Sequence, residues 1–259
     1  MHLNDWIADM ERLAPPELAL AWDNVGLLVS PDGEEITRVL VALDCTAAVA
    51  DEAAAWGAQL VLTHHPVLFS GTKRILKGEP ATAGIYRLIR HGVGLYAAHT
   101  NLDAAPDGVN DALAARLGLT DVVPLPPDGL GRIGRLPGAL PLHAFAANAE
   151  RALGCTALAT GGAGDTVLTV ALVGGAGGGD IAAAAAAGAD VFVTGECRHH
   201  QSLEALERGV AVLTCGHYAT ERVVLEPLIA RLQAMQNDVQ YKLTLVESDP
   251  QRRLQEVQP

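Results

Sequence analysis

Aromatic residues are scarce. Phe, Trp and Tyr make up 4% of the 259 residues, so the core must be packed from aliphatic and small side chains rather than from stacked rings. Basic residues are outnumbered as well: 18 Lys and Arg stand against 30 Asp and Glu, a net charge of −12. No run of Lys and Arg interrupts that balance, and Lys73, Arg74 and Lys77, the nearest thing to a cluster, read as a solvated loop. This excludes broad binding to a nucleic-acid backbone, which needs clustered cations. The four cysteines, Cys45, Cys155, Cys197 and Cys215, contain no Cys-x-x-Cys pair. Neither a thiolate zinc site nor a disulfide framework is expected, and reduced thiols in a reducing compartment are. Long apolar runs are missing too. Even Ala182–Ala187 is alanine, so no membrane span is expected. The start, Met1-His2-Leu3-Asn4-Asp5-Trp6, lacks the basic-then-apolar order of a signal peptide. The expectation is a cytoplasmic protein.

What is abundant is alanine, glycine and short aliphatic runs, within an apolar share of 49%. Leu3, Ile7, Met10 and Leu13 fall at helical spacing, with Asn4 or Asp5 as cap and Pro15-Pro16 as stop. Val25–Val29 reads as a strand, and Val39–Leu43 as a strand buried on both faces. An Ala-rich helix then runs to Trp56, closed by Gly57. The alternation continues with strand Gln59–Thr63, helix 81–91, strand Gly94–Ala98 and a helix over 108–117. The stretch 121–131, with three prolines and two glycines, reads as a connection. Beyond it come strand Arg132–Leu136, helix Leu142–Leu153, strand Thr166–Val173, helix Asp180–Ala187 and strand Asp190–Thr194. A helix near Ser202–Glu207, strand Val210–Thr214, a long helix over Ala219–Met235 and a strand near Gln240–Val246 follow, before a polar tail. This is the signature of an α/β protein with mostly parallel or mixed sheets flanked by helices. The expected domains are 1–124 and 125–259, with the C-terminal helix and strand free to pack back on the first.

The two halves resemble one another. Gly57-Ala58-Gln59-Leu60-Val61-Leu62-Thr63 aligns without gaps to Gly188-Ala189-Asp190-Val191-Phe192-Val193-Thr194. Gly92-Val93-Gly94-Leu95 aligns to Gly209-Val210-Ala211-Val212, and one inserted residue sets His99-x-x-x-Asp103 over His217-x-x-x-Glu221. Strand, loop and His-x-x-x-acid motif recurring in the same order indicate duplication of one α/β unit.

Three histidine-bearing stretches each follow an apolar strand: Thr63-His64-His65-Pro66, His99-Thr100-Asn101-Leu102-Asp103 and His217-Tyr218-Ala219-Thr220-Glu221. Residues just past parallel strand ends are where α/β proteins build sites. In a helical turn, a His and an acid four apart share a face, so His99 with Asp103 and His217 with Glu221 each make a clamp, and the His64-His65 pair completes them. Four imidazoles and two carboxylates are too many for one tetrahedral ion and suit two divalent ions with open positions. These nitrogen and oxygen donors fit zinc, iron, manganese or nickel. His199-His200 sits near the place of His64-His65 in the second half, which makes it a candidate for proton transfer or substrate contact, or an exposed loop pair.

Other catalytic signatures are absent. The glycine loop Val173–Gly179 fails the Gly-x-Gly-x-x-Gly pattern and lacks the Lys-Ser/Thr of a phosphate loop. A tight strand-to-helix turn is expected there, with an anion cradle as the alternative. Ser70 and Ser202 lack a nucleophile-elbow context.

The motifs Thr63-His64-His65-Pro66 with Phe69, Ala98-His99-Thr100-Asn101-Leu102-Asp103, Val173-Gly174-Gly175-Ala176-Gly177, Thr194-Gly195-Glu196 with His199-His200, and Gly216-His217-Tyr218-x-x-Glu221 together resemble the Nif-three-like dinuclear-metal-centre proteins, often labelled GTP cyclohydrolase I type 2 homologues. The resemblance extends from Trp22-Asp23-Asn24-Val25-Gly26 to the helix after Glu221. It implies two similar α/β units, a ring-shaped homohexamer, and His64, His65, His99, Asp103, His217 and Glu221 as metal ligands, with Glu221 bridging. Where many relatives read Gly-Leu-Gln-Val-Gly, this chain has Gly26-Leu27-Leu28-Val29-Ser30, so a polar Gln contact is lost. The resemblance does not supply the substrate; the first expectation drawn from the residues is a metal-dependent hydrolase acting on a nucleotide or another phosphorylated or heterocyclic small molecule, with His199 or His200 as catalytic proton carrier. The competing expectation is a non-enzymatic ring that traffics or senses metal.

Overall fold

In a computed structural model of the chain, residues 1–69, 71–161, 164, 166–247 and 249 are described. Ser70 and the polar tail beyond 249 lie outside them. Two compact units divide the chain: Met1–Pro106 with Leu225–Ser248, and Asp107–Val224 as the body of the second. The division thus falls upstream of the proline-rich stretch, and the segment after Val224 belongs to the first unit. No helix among the described residues is long and apolar enough to cross a membrane.

The first unit is a five-stranded mixed sheet. Its strands are β1 (Gly26–Val29), β2 (Arg38–Ala42), β3 (Leu60–Thr63), β4 (Gly94–Ala97) and, after the excursion through the second unit, β11 (Gln240–Leu243), in the order β1-β4-β3-β2-β11. β11, β2, β3 and β4 run parallel and β1 is antiparallel. β3 and β4 are buried throughout and β2 at all but Arg38, as continuous apolar runs require when helices cover both faces. One face packs Leu40, Ala42, Val61 and Leu95 against α2 (Ala47–Trp56) and α3 (Pro80–Arg90). On the other, Trp6 of α1 (Leu3–Leu13) meets Tyr96 edge-on with centroids 5.3 Å apart. The cap of α1 is His2, whose ring accepts from the Asn4 amide at 3.2 Å, not Asn4 or Asp5, so the helix begins at Leu3, ahead of both. Thr46 caps α2 through the Val49 amide, and Gly57, at φ 73°, ends it.

The second unit holds α5 (Val109–Arg116), β5 (Thr120–Pro124), β6 (Arg132–Pro141), α6 (Leu142–Leu153), β7 (Leu158–Gly161), β8 (Thr166–Val173), α7 (Ile181–Ala186), β9 (Val191–Thr194), α8 (His199–Arg208), β10 (Ala211–Thr214) and α9 (His217–Glu221). Its six-stranded sheet runs β5-β6-β8-β9-β10-β7. β8, β9 and β10 are parallel, and the other pairings are antiparallel. The pleat sorts the core cleanly. Val170, Leu172, Val191, Val193, Ala211 and Leu213 face α5 and α6, whereas Ala171, Val173, Phe192 and Val212 face α7 and α8.

Several expectations are corrected. Part of the proline-rich stretch is strand β5, which tolerates Pro124 because it lies at the sheet edge, paired only to β6. Helix α8 starts at His199 rather than near Ser202, with Arg198 at its N-cap. The long helix expected over 219–235 is broken into α9, a 3-10 turn at Arg222–Val224 and α10 (Leu225–Met235). The last begins at the unit boundary, with Pro227 in its first turn, where a missing amide costs nothing.

The units share an inner frame, β1-β4-β3-β2 against β7-β10-β9-β8. Ala42 and Ala97 flank Thr63 in register, as Val173 and Thr214 flank Thr194. Gln59 Oε1 accepts the Thr37 and Arg38 amides, and its counterpart Asp190 accepts those of Leu168 and Thr169. Outside this frame the sheets differ: β2 is flanked by parallel β11, β8 by antiparallel β6.

Candidate metal centre

Both units place candidate ligand residues just past the C-terminal ends of their parallel strands. In the first unit, His64 and His65 follow β3. His99 follows β4 and leads into a one-turn helix, α4 (Thr100–Ala104), which carries Asp103. His64, His65 and His99 each bring one ring nitrogen within 4.8 Å of the others, with ring centroids 5.0 to 5.6 Å apart. Asp103 Oδ1 stands 3.7 Å from His64 Nε2. His64 is buried; the other two are partly so.

The opposite edge of each imidazole decides what the cluster can do. His64 Nδ1 donates to the Ala98 carbonyl at 2.8 Å, His65 Nδ1 to Asp44 Oδ1 at 2.8 Å, and His99 Nδ1 to Asp23 Oδ1 at 2.9 Å. A carbonyl or carboxylate oxygen can only accept, so each Nδ1 carries a proton, and in the neutral ring Nε2 keeps its lone pair. This outer arrangement fixes tautomer and orientation in metal sites. The charges agree. Burial, and then the neighbouring imidazole of His64, hold the His99 pKa below its ordinary value against the pull of Asp23, so the ring stays neutral as a ligand must. Burial pushes Asp23 upward, but hydrogen bonds from Thr100 and His99 outweigh it, and its pKa ends lowered. Asp44 is held in turn: Glu247 accepts the Leu43 and Asp44 amides at 2.8 and 2.6 Å.

In the second unit, α9 carries the clamp on one face. His217 Nε2 lies 3.1 Å from Glu221 Oε2, and His217 Nδ1 donates to Glu196 Oε1 at 2.9 Å. Glu221 is buried, 4% exposed, in a position where a carboxylate needs strong compensation. The glycine loop passes beneath it. Gly175 has φ +61°, and a Cβ there would overlap Glu221 Oε1 and come within 3.1 Å of His217 Nε2. The loop's amides are already engaged: Gly174 donates to Asn110, Gly175 to Thr220 and Gly177 to Thr194, at 2.9 to 3.0 Å. These glycines give the clamp room; the three engaged amides do not face an anion.

His199 and His200 are exposed in the first turn of α8. Outside this pair, the sequence reading missed Asp23, Asp44 and Glu196, the oxygens behind three of the imidazoles. Asp44 had a signal, since it directly follows the β2 run as the histidines follow theirs.

Two mixed α/β units whose parallel strands end in histidine and carboxylate donors make an α/β protein with donor sets suited to a divalent metal. The model of the Duf34/NIF3 (NGG1p interacting factor 3) family matches residues 1–252, and the chain belongs to that family. A Streptomyces coelicolor protein named GTP cyclohydrolase 1 type 2 homolog is 38% identical over 231 residues, covering 85% of this chain and 81% of its own. The solved structure of a hypothetical protein from Staphylococcus aureus superposes with a TM-score of 0.89 at 28% identity, covering 96% of this chain and 98% of that one. A Bacillus cereus protein related to NIF3 shares the fold with a TM-score of 0.91 at 24% identity, covering 96% and 98% of the two chains.

Proposed function

We propose that the chain binds two divalent metal ions through His64, His65, His99, Asp103, His217 and Glu221, and hydrolyses a nucleotide or related small molecule with them. The observation that carries the reading is the shared posture of four histidines, each with Nδ1 against an oxygen acceptor, so that Nε2 would serve as the ligand atom. The donor set fits zinc, iron, manganese or nickel. When bound, such ions supply Lewis-acid polarisation of a substrate oxygen and activation of water near neutral pH. The protein's part is to hold the ligands in place: Asp23, Asp44 and Glu196 orient the imidazoles, and Gly175 admits the Glu221 carboxylate. His199 and His200 are the proposed proton carriers, their exposed rings being free to exchange protons with solvent. The name of the Streptomyces relative supports a nucleotide as substrate. The family resemblance supports a cytoplasmic homohexameric ring, and the acidic balance argues against nucleic acid as partner.

The test is elemental analysis of the purified protein followed by a hydrolysis assay on nucleotides with each metal loaded separately. About two metals per chain and metal-dependent product formation are expected. A loaded protein that turns over nothing across the panel, yet exchanges its metal readily, would replace hydrolysis with metal trafficking or sensing. One metal per chain would reduce the centre to a mononuclear site.

A further inference from the structure

Large aromatic side chains are few in this protein, yet two of them are left in the open beside the candidate centre. Trp22 is 58% exposed and Phe69 is 49% exposed. Their rings meet edge-to-face, with centroids 5.5 Å apart and planes at 73°. Each also stands against the same imidazole: the His99 ring is 6.2 Å from Trp22 and 6.1 Å from Phe69. Burying either ring would stabilise the fold, so exposing both forgoes that contribution.

Nor is the pair exposed through slack in the loops. The Leu20 amide donates to Thr100 Oγ1 at 3.0 Å, and Asp23 holds both His99 Nδ1 and the Thr100 amide, at 2.9 and 3.0 Å. The Asn24 side-chain amide donates to the Leu68 carbonyl at 2.7 Å, next to Phe69. The chain is thus tied on both sides of Trp22 and immediately before Phe69. Two planar apolar surfaces, set at an angle and fixed by polar clips, border a histidine read above as a metal ligand.

We propose that Trp22 and Phe69 form the recognition corner for the substrate's ring, and that the substrate is a planar nitrogen heterocycle of the nucleobase type. This rests on the hydrolase reading and narrows its substrate class. A flat ring stacks on one aromatic face and meets the second with its edge, the arrangement that aromatic quadrupoles favour. Stacking tolerates any base, because every base has a π-face. An aliphatic phosphoester offers nothing to such a corner.

Equilibrium binding tests the proposal without turnover, so a failure of hydrolysis leaves it standing. Guanosine 5′-monophosphate is titrated into the full chain, with and without prior chelation of metal, and tryptophan fluorescence is followed. The other tryptophans, Trp6 and Trp56, are buried and partly buried respectively. Saturable quenching is expected. Trp22→Ala and Phe69→Ala should each weaken binding by about 5- to 100-fold, from the usual worth of one stacked base, measured for both variants by competition with a fluorescent purine nucleoside. Trp22→Phe should stay within about threefold by the same readout, which separates stacking from loss of fold. Ribose 5-phosphate should not compete. Equal competition by ribose 5-phosphate, or unchanged affinity in both alanine variants, would overturn the proposal. So would a smaller oligomer for Trp22→Ala on gel filtration, since the pair would then be a contact between copies.

Discussion

The two units carry their chemistry on one frame and part company a single residue past its middle strand. Thr63 ends β3 and Thr194 ends β9, with the same register to the strands on either side. The next two residues are His64 and His65 in the first unit, Gly195 and Glu196 in the second. The first unit therefore gathers three imidazoles and an aspartate. The second keeps one imidazole and one glutamate, and its Gly195 has no room for a side chain. A Cβ on Gly195 would lie 2.5 Å from the Gly175 carbonyl, 2.7 Å from His217 Cα and 2.8 Å from Thr220 Oγ1. Two residues past the end of β2 stands Asp44, which buttresses His65; its counterpart two residues past the end of β8 is Gly175, which makes way for Glu221. Strand pairing is common to both units, while a few positions at the strand ends decide which unit is nitrogen-rich and which supplies a carboxylate. The same job is also done from different places: Asp23 precedes β1 and holds His99, whereas Glu196 follows β9 and holds His217.

Removing the proposed ligands is the hardest test of that division of labour. His99→Ala in the first unit and Glu221→Ala in the second should each lower metal affinity by more than about 100-fold, since loss of a mere outer partner costs about 10- to 100-fold. Metal per chain by elemental analysis is the readout. Glu221→Ala with full metal content would leave the first unit as the sole binding unit and break the comparison. The buttresses come next. Asp23→Asn and Glu196→Gln should each weaken metal binding by about 10- to 100-fold, and by similar amounts if the two carboxylates are functional equivalents. A large loss for one alone would show that only one unit needs its imidazole fixed. Gly195→Ala tests the space argument. Its added methyl meets backbone atoms that cannot swing aside, so it should destabilise the protein by about 1–3 kcal/mol in denaturant unfolding. A neutral result would mean that the second unit lacks a histidine there for some reason other than room.

How much of this was visible in the sequence depends on the range of the forces involved. The inner strands were legible because parallel strands buried on both faces read as unbroken aliphatic runs, and the helix ends because Gly57 and Gly154 adopt the left-handed conformation that closes a helix. β5 was hidden by Pro124 and the prolines after it, and β7 by the shortness of Leu158–Gly161, which ends in glycine. The break before α10 was hidden because apolar spacing runs through it. The six candidate ligand positions stood out through residue type and placement after strands. Their supports did not, because a buttress such as Asp23 is 76 residues from its histidine, and only the folded sheet brings them together. The glycine loop carried a readable pattern, but whether its amides faced an anion or were already occupied depended on Asn110, Thr194 and Thr220, each distant in the chain.

The smallest expected effect concerns a carboxylate that the first unit replaces with an apolar residue. Counting back equally from the capping glycines Gly57 and Gly188, Asp180 takes the place of Val49, which is fully buried in α2. Burial, reinforced by the charge of Asp128, raises the Asp180 pKa from 3.8 to about 6. The folded state therefore binds this proton more tightly than the unfolded chain, and protonation favours folding. Stability from this group is fully present below about pH 4, declines as pH rises toward 6, and is absent above it, where the native state must carry a poorly solvated charge. Asp180→Asn removes that cost. After allowance for solvent screening of a partly exposed group, it should stabilise the protein by about 1 kcal/mol at pH 7.5, with the gain shrinking toward zero as pH approaches 4. Thermal unfolding of both proteins across that window is the measurement. A gain that is constant with pH would point to better packing, as at Val49, and would make the site a weakness of shape rather than of charge.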